Sequence, residues 1–195
     1  MSCTPKDLED IEYCDGQHML AGYYTNAYII KESDILSFPK MGDDKTLTDA
    51  EKALLAAYGT LTDAEKKLTL VGEIKMKPGK KFTHLPIIND SGQLEYNRPK
   101  PSSTAVKTDW SCDVQLTTHN EGVLDDITRG ILVVQEIDSH KTKVLGRIGI
   151  PTEIAEEKGK NSRNADGSRM ISLKFSHAPF RAADYYGTIQ LVEAP

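Results

Sequence analysis

Histidine and cysteine are the side chains best able to bind a metal ion or to transfer protons at neutral pH. The five histidines are His18, His84, His119, His140 and His177, and the three cysteines are Cys3, Cys14 and Cys112. None of them falls in an H-x-x-x-H, H-E-x-x-H or C-x-x-C pattern, which are the spacings that metal sites use. We therefore predict no metal site, and we expect reduced cysteines in preference to a single bridge between Cys3 and Cys14.

Other patterns of catalytic chemistry are missing as well. The serines occur without a G-x-S-x-G elbow. Asp125 and Asp126 are neighbours, and adjacent residues on a helix point about 100° apart, so these carboxylates cannot share a proton. The basic run at residues 77–81, Lys-Pro-Gly-Lys-Lys, lacks the spacing of a phosphate loop, and we expect a hairpin turn there. The sequence predicts a protein that is not an enzyme, with no catalytic residue and no cofactor.

Composition narrows the class of protein further. The 195 residues carry 24 Lys and Arg against 29 Asp and Glu, a net charge of −5. Proteins that bind nucleic-acid phosphate usually carry the opposite sign, so that class is disfavoured. No apolar run approaches the roughly 20 residues of a membrane-spanning helix, and residues 1–7 lack the basic and apolar regions of a secretory signal. We expect a single soluble domain over residues 1–195, with no contact to a membrane.

Strand patterns dominate the chain. Residues 104–118 alternate between apolar and polar side chains, which is typical of a long antiparallel strand with one face on a core and the other in water. Residues 131–134, Ile-Leu-Val-Val, are apolar on both faces and predict a central strand that is covered on both sides. Shorter strand patterns occur at residues 21–31, 69–77, 81–89, 143–150, 169–176 and 186–193.

Two of the helical patterns are copies of one another. Thr48 and Glu51 form a capping box at the start of a short apolar helix. The same seven-residue sequence recurs fourteen residues later, since residues 46–52 and 60–66 are identical. We expect two short capped helices within residues 40–68.

A third helix and two polar loops complete the pattern. The helix is expected over about 121–128, with Asn120 as N-cap and Gly130 as its end. Its apolar stripe consists of Val123, Leu124 and Ile127. Residues 97–103 and 158–168 are rich in turn formers, and we expect mobile loops that become ordered only against neighbouring subunits.

Several segments, taken in order, resemble a known family. Gly-Glu-Ile-Lys-Met-Lys-Pro-Gly-Lys-Lys-Phe at residues 72–82 precedes the long strand, the single helix and the apolar strand. Val-Leu-Gly-Arg-Ile-Gly-Ile-Pro-Thr-Glu-Ile at 144–154 precedes a polar loop and Tyr-Gly-Thr-Ile-Gln-Leu at 186–191. Together they resemble the major tail tube proteins of long-tailed bacteriophages, in the versions of phages and prophages of Bacteroides-type bacteria. The likeness covers residues 21–38 and 69–193, so residues 40–68 are interpreted as a helical insertion.

The resemblance implies a mainly β fold, an antiparallel β-sandwich or partly closed β-barrel flanked by one α-helix. It also implies hexameric rings that stack into the conduit for DNA ejection in the virion tail, made in the host bacterial cytoplasm. The partners would be further copies of this chain, other tail proteins and DNA that passes without specific binding. Long strands with one wet face are compatible with this, because their edges can pair with neighbouring subunits.

The polar side of residues 104–118 is the candidate wall of such a channel. We predict that the channel is lined by Lys107, Asp109, Ser111, Asp113, Gln115 and Thr117. Two acids and one lysine make this strip net negative, which favours DNA passage over DNA adhesion. The alternative for this face is an ordinary solvated outer wall.

A second function hypothesis is a non-enzymatic β-sandwich that binds a carbohydrate or protein ligand. Clustered exposed aromatic side chains would favour it. Aromatic residues make up only 7% of the chain, and Trp110 falls on the apolar side of its strand. These observations favour the assembly protein.

Overall fold

A computed structural model describes residues 24–85, 87–88, 91–98, 105–115, 122, 124–125, 127, 129–136, 142–160, 170–189 and 191. The fold is mainly β, as predicted. The strands are β1 (Tyr24–Ile30), β2 (Ile35–Ser37), β3 (Lys40–Met41), β4 (Thr69–Val71), β5 (Lys75–Met76), β6 (Thr83–Leu85), β7 (Gln93–Asn97), β8 (Lys107–Gln115), β9 (Arg129–Glu136), β10 (Thr142–Leu145), β11 (Thr152–Lys160), β12 (Met170–His177) and β13 (Ala183–Tyr185). The helices are α1 (Asp49–Ala57), α2 (Asp63–Lys66) and a 3-10 turn at Glu32–Asp34.

Eleven of these strands form one sheet. Nine of them follow the order β3-β4-β13-β10-β9-β11-β12-β8-β7, and the other two are β1, which pairs with β9, and β6, which pairs with β1. Strands β2 and β5 form a separate pair. The pairing is antiparallel throughout, except between β13 and β4. We call β11, β12, β8 and β7 the four-stranded half-sheet.

The half-sheet joins the rest of the sheet at the first residues of β9. Thr152 and Glu153 of β11 pair there with Gly130 and Arg129. A Cβ atom on Gly130 would lie 2.4 Å from the carbonyl oxygen of Ile30, so only glycine fits this crossing. The expectation that Gly130 ends a helix is wrong, because this close approach of β1 places it inside β9.

Apolar side chains of β9 enter two separate cores. Leu132 and Val134 belong to one buried cluster, and Ile131 and Val133 belong to another on the opposite side of the strand. All four are 0% exposed, which confirms the prediction of a strand covered on both faces. Alternate residues of a strand point to opposite faces, so β9 anchors both cores.

The first core lies where the half-sheet meets β1, β9 and β10. Trp110 of β8 packs on Phe175 of β12, with ring centroids 5.6 Å apart. Leu124 and Ile127 join the same cluster at 5% and 6% exposure, as predicted for the helix stripe, and Gly122 and Leu124 are helical. The two parts of the sheet therefore share one core, which is consistent with a β-sandwich. Val123 lies outside the described residues.

Several predicted strands have different bounds in the structure, and the strand expected over 81–89 contains only β6. The strand expected over 69–77 is divided into β4 and β5, because Gly72 adopts a φ of 105°. The strand expected over 143–150 ends at Leu145, since Gly146 adopts a φ of 98°. The strand expected over 186–193 is wrong for its described residues, none of which is in a strand, and β13 ends just before them. After β13 the chain turns, and the hydroxyl of Tyr185 donates a hydrogen bond to the carbonyl of Thr188 at 3.2 Å.

The two capped helices are confirmed. In each, the threonine side chain accepts a hydrogen bond from the glutamate N–H, and the glutamate carboxylate accepts one from the threonine N–H. The pairs are Thr48 with Glu51 and Thr62 with Glu65. Tyr58, at the end of α1, stacks on Tyr186 with ring centroids 4.5 Å apart, which attaches the helices to the sheet.

Both predicted loops begin inside strands, and their ordering against neighbouring subunits stays a prediction. The first three residues of the 158–168 segment belong to β11, because they pair with β12 as far as Lys160. Asn97 is the last residue of β7. Residues 99–103 and 161–168 lie outside the described residues. Among the described helices none has the length and apolar character needed to cross a membrane.

Candidate functional site

The side chains of the half-sheet that point away from the core form one surface, which we call the polar face. In β8 the residues on the core side, Thr108, Trp110, Cys112 and Val114, are buried. The alternate residues therefore lie on the other side. The charged and hydroxyl members of the polar face are Glu95, Lys107, Asp109, Ser111, Asp113, Glu153, Glu156, Lys158, Ser172, Lys174 and Ser176.

Four of the six predicted channel residues are thus together on one face. Lys107, Asp109, Ser111 and Asp113 follow one another along β8. Thr117 and the side chain of Gln115 lie outside the described residues. Whether this face lines a channel stays a prediction.

Asp109 lies at the centre of the polar face, and it is only 7% exposed. Its Oδ2 is 3.0 Å from Nζ of Lys107 and 3.2 Å from Nζ of Lys174. The hydroxyl of Ser176 donates a hydrogen bond to Oδ1. Asp109 therefore bridges β8 and β12 and contributes little surface to water.

These contacts set the charge of the Asp109 carboxyl. Burial by itself would raise its pKa, but the hydrogen bonds from Ser176, Lys107 and Lys174 outweigh burial and hold the pKa below its usual value. The same contact raises the pKa of Lys174. Both groups are charged at neutral pH, so the centre of the polar face is an ion cluster around a buried carboxylate.

Asp113 has different surroundings. Its Oδ1 accepts a hydrogen bond from the hydroxyl of Ser172 at 2.6 Å, and its backbone N–H donates one to the hydroxyl of Ser91 at 3.0 Å. Asp113 is half-buried and forms no ion pair within the described part of the chain. No described cation therefore contacts the carboxyl group at this end of the polar face.

The described charged side chains of the polar face are close to balanced. Its five described carboxylates are offset by three lysines and by Arg129, whose Nε lies 3.0 Å from Glu153. Lys158 pairs with Glu156 on β11. One negative charge is left over, which is the same net sign as in the strip predicted on β8 alone.

The described histidines and cysteine do not form a chemical site. His177 is 3% exposed, and burial together with the charge of Arg147 lowers its pKa to about 4. His84 is exposed and lies against Tyr28, with ring centroids 5.2 Å apart. Cys112 is buried, and burial raises the pKa of its thiol. Within the described residues no group of three or more His, Cys, Asp or Glu could hold a metal ion.

Comparison with protein-family models, curated proteins and solved structures finds no match for this chain. Indications of function therefore come from the arrangement of the strands and side chains.

The half-sheet has two outer edges. The strand order ends at β7, four of whose five residues are exposed. β11 has β12 along one side, but β9 pairs only with Thr152 and Glu153 on the other. Beyond Glu153 no strand in the described part of the chain lies along that side of β11. Open strand edges of this kind can pair with another chain.

Both edge strands lie outside the strands predicted from the sequence. Gln93–Asn97 alternates polar with apolar residues, with Leu94 and Tyr96 between polar neighbours, so its period could have identified a short strand. Thr152–Lys160 has no such signal, because residues 155–159 are exposed on both sides of the strand. Its pairing with β12 depends on residues distant in sequence.

Proposed function

We propose that this protein is a structural subunit that assembles into rings through its four-stranded half-sheet, and that the rings stack into a phage tail tube. The observation that supports this proposal is the direction of the two outer edges. The direction alternates from each strand of the half-sheet to the next, so its first strand, β11, is antiparallel to its fourth strand, β7. A copy rotated about an axis along the strands therefore brings its β11 antiparallel to β7 of its neighbour. Six copies would close one ring, as the family resemblance implies.

The alternation of side chains restricts the register of this contact. Polar side chains must stay on one face, so Glu95 can lie opposite Lys158 but not opposite Glu157. In that register Asn97 lies opposite Glu156, and Leu94 lies opposite Gly159. Nothing lies within 4 Å of the position of a Cβ on Gly159, which leaves space there for Leu94. Opposite charges on directly facing residues add roughly 0.2–1 kcal/mol per pair.

Closing a ring in this way would turn the polar face toward either the channel or the outside, because the other face carries the core. We assign it to the channel, with Lys107, Asp109, Ser111, Asp113, Gln115 and Thr117 as lining residues. Lys107 and Lys174 already contact Asp109, so neither is available to hold a phosphate group strongly. DNA could pass such a wall with little adhesion, and the subunit would belong to the virion tail.

Charge reversal at the proposed contact tests this assembly. Negative-stain microscopy of concentrated full-length protein should show rings or tubes for the wild type. Glu95→Lys and Lys158→Glu should each reduce ring formation, and the double variant should restore it because the pair is re-formed with exchanged charges. Glu73→Lys, which changes an exposed residue outside the half-sheet, is the matched control.

Two results would contradict the proposal at different levels. A wild-type protein that stays monomeric at high concentration would contradict the assembly function. Rings that form equally well in both single variants would contradict the β7–β11 contact and leave the function standing.

The alternative, a ligand-binding module, would gain support from clustered exposed aromatic rings. The exposed aromatic side chains among the described residues are Tyr96 and Tyr186. Tyr96 lies in β7, whereas Tyr186 directly follows β13. This separation favours the assembly protein.

A further inference from the structure

One carboxylate of β11 lies on the core side of the half-sheet. Glu157 pairs with Leu173 of β12, which is 2% exposed and belongs to the first core. Directly paired residues carry their side chains on the same face of a sheet, so Glu157 points to the same side as Leu173. Glu157 is exposed, and it forms no ion pair within the described part of the chain. An inward-pointing charge at an open edge excludes partner strands that bring no opposite charge.

A pocket adjoins Glu157, and we call it the edge pocket. It has a volume of about 280 Å³ and is lined by Leu124, Asp125, Ile154, Ala155, Glu156 and Glu157. No described residue of β12 lines it, so it lies toward the open edge of β11.

The lining of the edge pocket combines apolar carbon with negative charge. Leu124 is buried in the first core, and Ile154 packs against that core. Of the three carboxylates, only that of Glu156 has a cation partner among the described residues, which is Lys158. The edge pocket therefore fits a cation that is presented together with an apolar or aromatic group.

The opposite edge of the half-sheet carries such a combination. Tyr96 of β7 pairs with Thr108, which is buried on the core side, so Tyr96 lies on the core side as well. The guanidinium of Arg181 lies 5.2 Å from the ring centroid of Tyr96. We call these two side chains the tyrosine–arginine pair.

Arg181 is held at this edge with its charge available. The hydroxyl of Thr108 donates a hydrogen bond of 2.9 Å to the carbonyl of Phe180, which keeps the neighbouring Arg181 beside β8. Arg181 is exposed, and it forms no ion pair with a described carboxylate. An opposite charge on another copy would find it accessible.

The register proposed from the polar face brings the two edges together. With Glu95 opposite Lys158, Tyr96 lies opposite Glu157 of the neighbouring copy. Directly opposite Cβ atoms of an antiparallel pair are about 4.5–5.5 Å apart, so the tyrosine–arginine pair is within reach of Glu157. The register follows from charges on the polar face alone, and the core side supplies a second, independent match of charge.

We infer that the tyrosine–arginine pair of one copy binds the edge pocket of a second copy, with Arg181 as the cation that pairs with Glu157. The inference rests on the proposed function, since it uses the ring contact between β7 and β11. A cation over an aromatic ring that meets a carboxylate at a newly covered edge combines two favourable interactions. Glu157 thereby makes the open edge selective for another copy of this chain.

Exchange of the two charges tests this contact. Arg181→Glu and Glu157→Arg should each raise the protein concentration for half-maximal ring formation by about tenfold or more, because like charges then face each other. The double variant should recover most of the wild-type assembly. Lys75→Glu, at an exposed lysine of β5 outside the half-sheet, is the matched control and should assemble like the wild type.

A pair of cysteines tests the register without any charge reversal. Tyr96→Cys mixed with Glu157→Cys should give covalent dimers on mild oxidation, because directly opposed strand residues lie within disulfide range. Tyr96→Cys mixed with Lys158→Cys is the control, and it should cross-link far less because Lys158 points to the other face. Each variant alone gives the background from the native cysteines. If a charge variant loses its wild-type circular dichroism, the cross-link decides.

The outcomes separate the two proposals. Rings of Arg181→Glu that form as readily as those of Lys75→Glu would overturn this contact and leave the proposed function standing. Loss of assembly in Glu157→Arg alone would assign the edge pocket to another cation, with the same consequence. If Glu157 only protected the edge, Glu157→Gln would associate more tightly than the wild type, whereas the contact predicts weaker association. Wild-type protein that forms no rings would overturn the proposed function, and the contact with it.

Discussion

Nζ of Lys174 lies 3.2 Å from Oδ2 of Asp109, across the pairing of β12 with β8. Lys107, two residues before Asp109 on β8, also contacts Oδ2, at 3.0 Å. A buried carboxylate with two ammonium partners and a hydroxyl donor stabilises the strand pair, whereas a loss of the carboxylate leaves two cations facing each other.

Asp109→Asn should lower the free energy of unfolding by about 1.5–3 kcal/mol at pH 7, because it removes the charge of a buried carboxylate that is hydrogen-bonded to two partly exposed lysines. Asp113→Asn is the matched control, with an expected loss of about 0.5–1.5 kcal/mol, since Asp113 accepts one hydroxyl hydrogen bond. Urea denaturation measures both. Equal losses would show that the lysines do not stabilise the fold through Asp109.

The same carboxylate has a pH signature. Its pKa in the folded chain is below the usual 3.8, so its stabilising effect is present above that value and is lost as the pH falls through the folded pKa. The difference between wild type and Asp109→Asn should therefore be constant from pH 7 to pH 5 and shrink below about pH 4.

His177 governs a different pH range. Its folded pKa of about 4 is below the usual 6.5, so the unfolded chain binds a proton between these values and the folded chain does not. Stability should fall by about 2–3 kcal/mol as the pH drops from 7 to 4 through this residue. His177→Gln should remove that part of the slope in denaturation series at several pH values. A slope unchanged by the substitution would show that His177 is protonated in the fold.

Gly130→Ala should destabilise the protein by about 2 kcal/mol or more, because the new Cβ would lie 2.4 Å from a backbone oxygen. Gly159→Ala is the matched control on an exposed strand. Nothing lies within 4 Å of its Cβ position, so its effect should stay within about 0.5 kcal/mol. Thermal unfolding of both variants checks the pair. A tolerated alanine at Gly130 would mean that β1 and β9 are farther apart.

Leu124→Ala should lower the free energy of unfolding by about 2–4 kcal/mol, because the side chain is 5% exposed and packs in the first core. Leu54→Ala, at 40% exposure, should change it by less than about 1 kcal/mol. A loss for Leu124→Ala as small as that for Leu54→Ala would place Leu124 outside the core.

Asp113→Lys tests the channel assignment, given the proposed function. Asp109 is unsuitable for charge reversal because its loss disrupts the ion cluster, whereas Asp113 is half-buried and has no lysine partner among the described residues. Rings of Asp113→Lys should assemble, and DNA ejection from particles carrying them should slow, because each ring adds cations that bind phosphate. Glu73→Lys is the control. Ejection at the wild-type rate would place the polar face on the outer wall.

The sequence by itself determined those features that depend on residues close together in the chain. The alternation in β8 separates its polar face from its core face, and the two capping boxes depend on residues three apart. The four apolar residues of β9 require cover on both faces wherever the strand lies. The grouping of Lys107, Asp109, Ser111 and Asp113 followed from the same alternation.

Strand partners were decided by the tertiary structure alone. β11 is a strand because β12 pairs with it, and Asp109 is buried because Lys174 and Ser176 come from that same neighbour. Gly130 lies in a strand, and not at the end of a helix, because β1 crosses close to it. Each of these outcomes depends on a contact between residues far apart in the chain. No local sequence pattern identifies such a partner, because the contact exists only in the folded sheet.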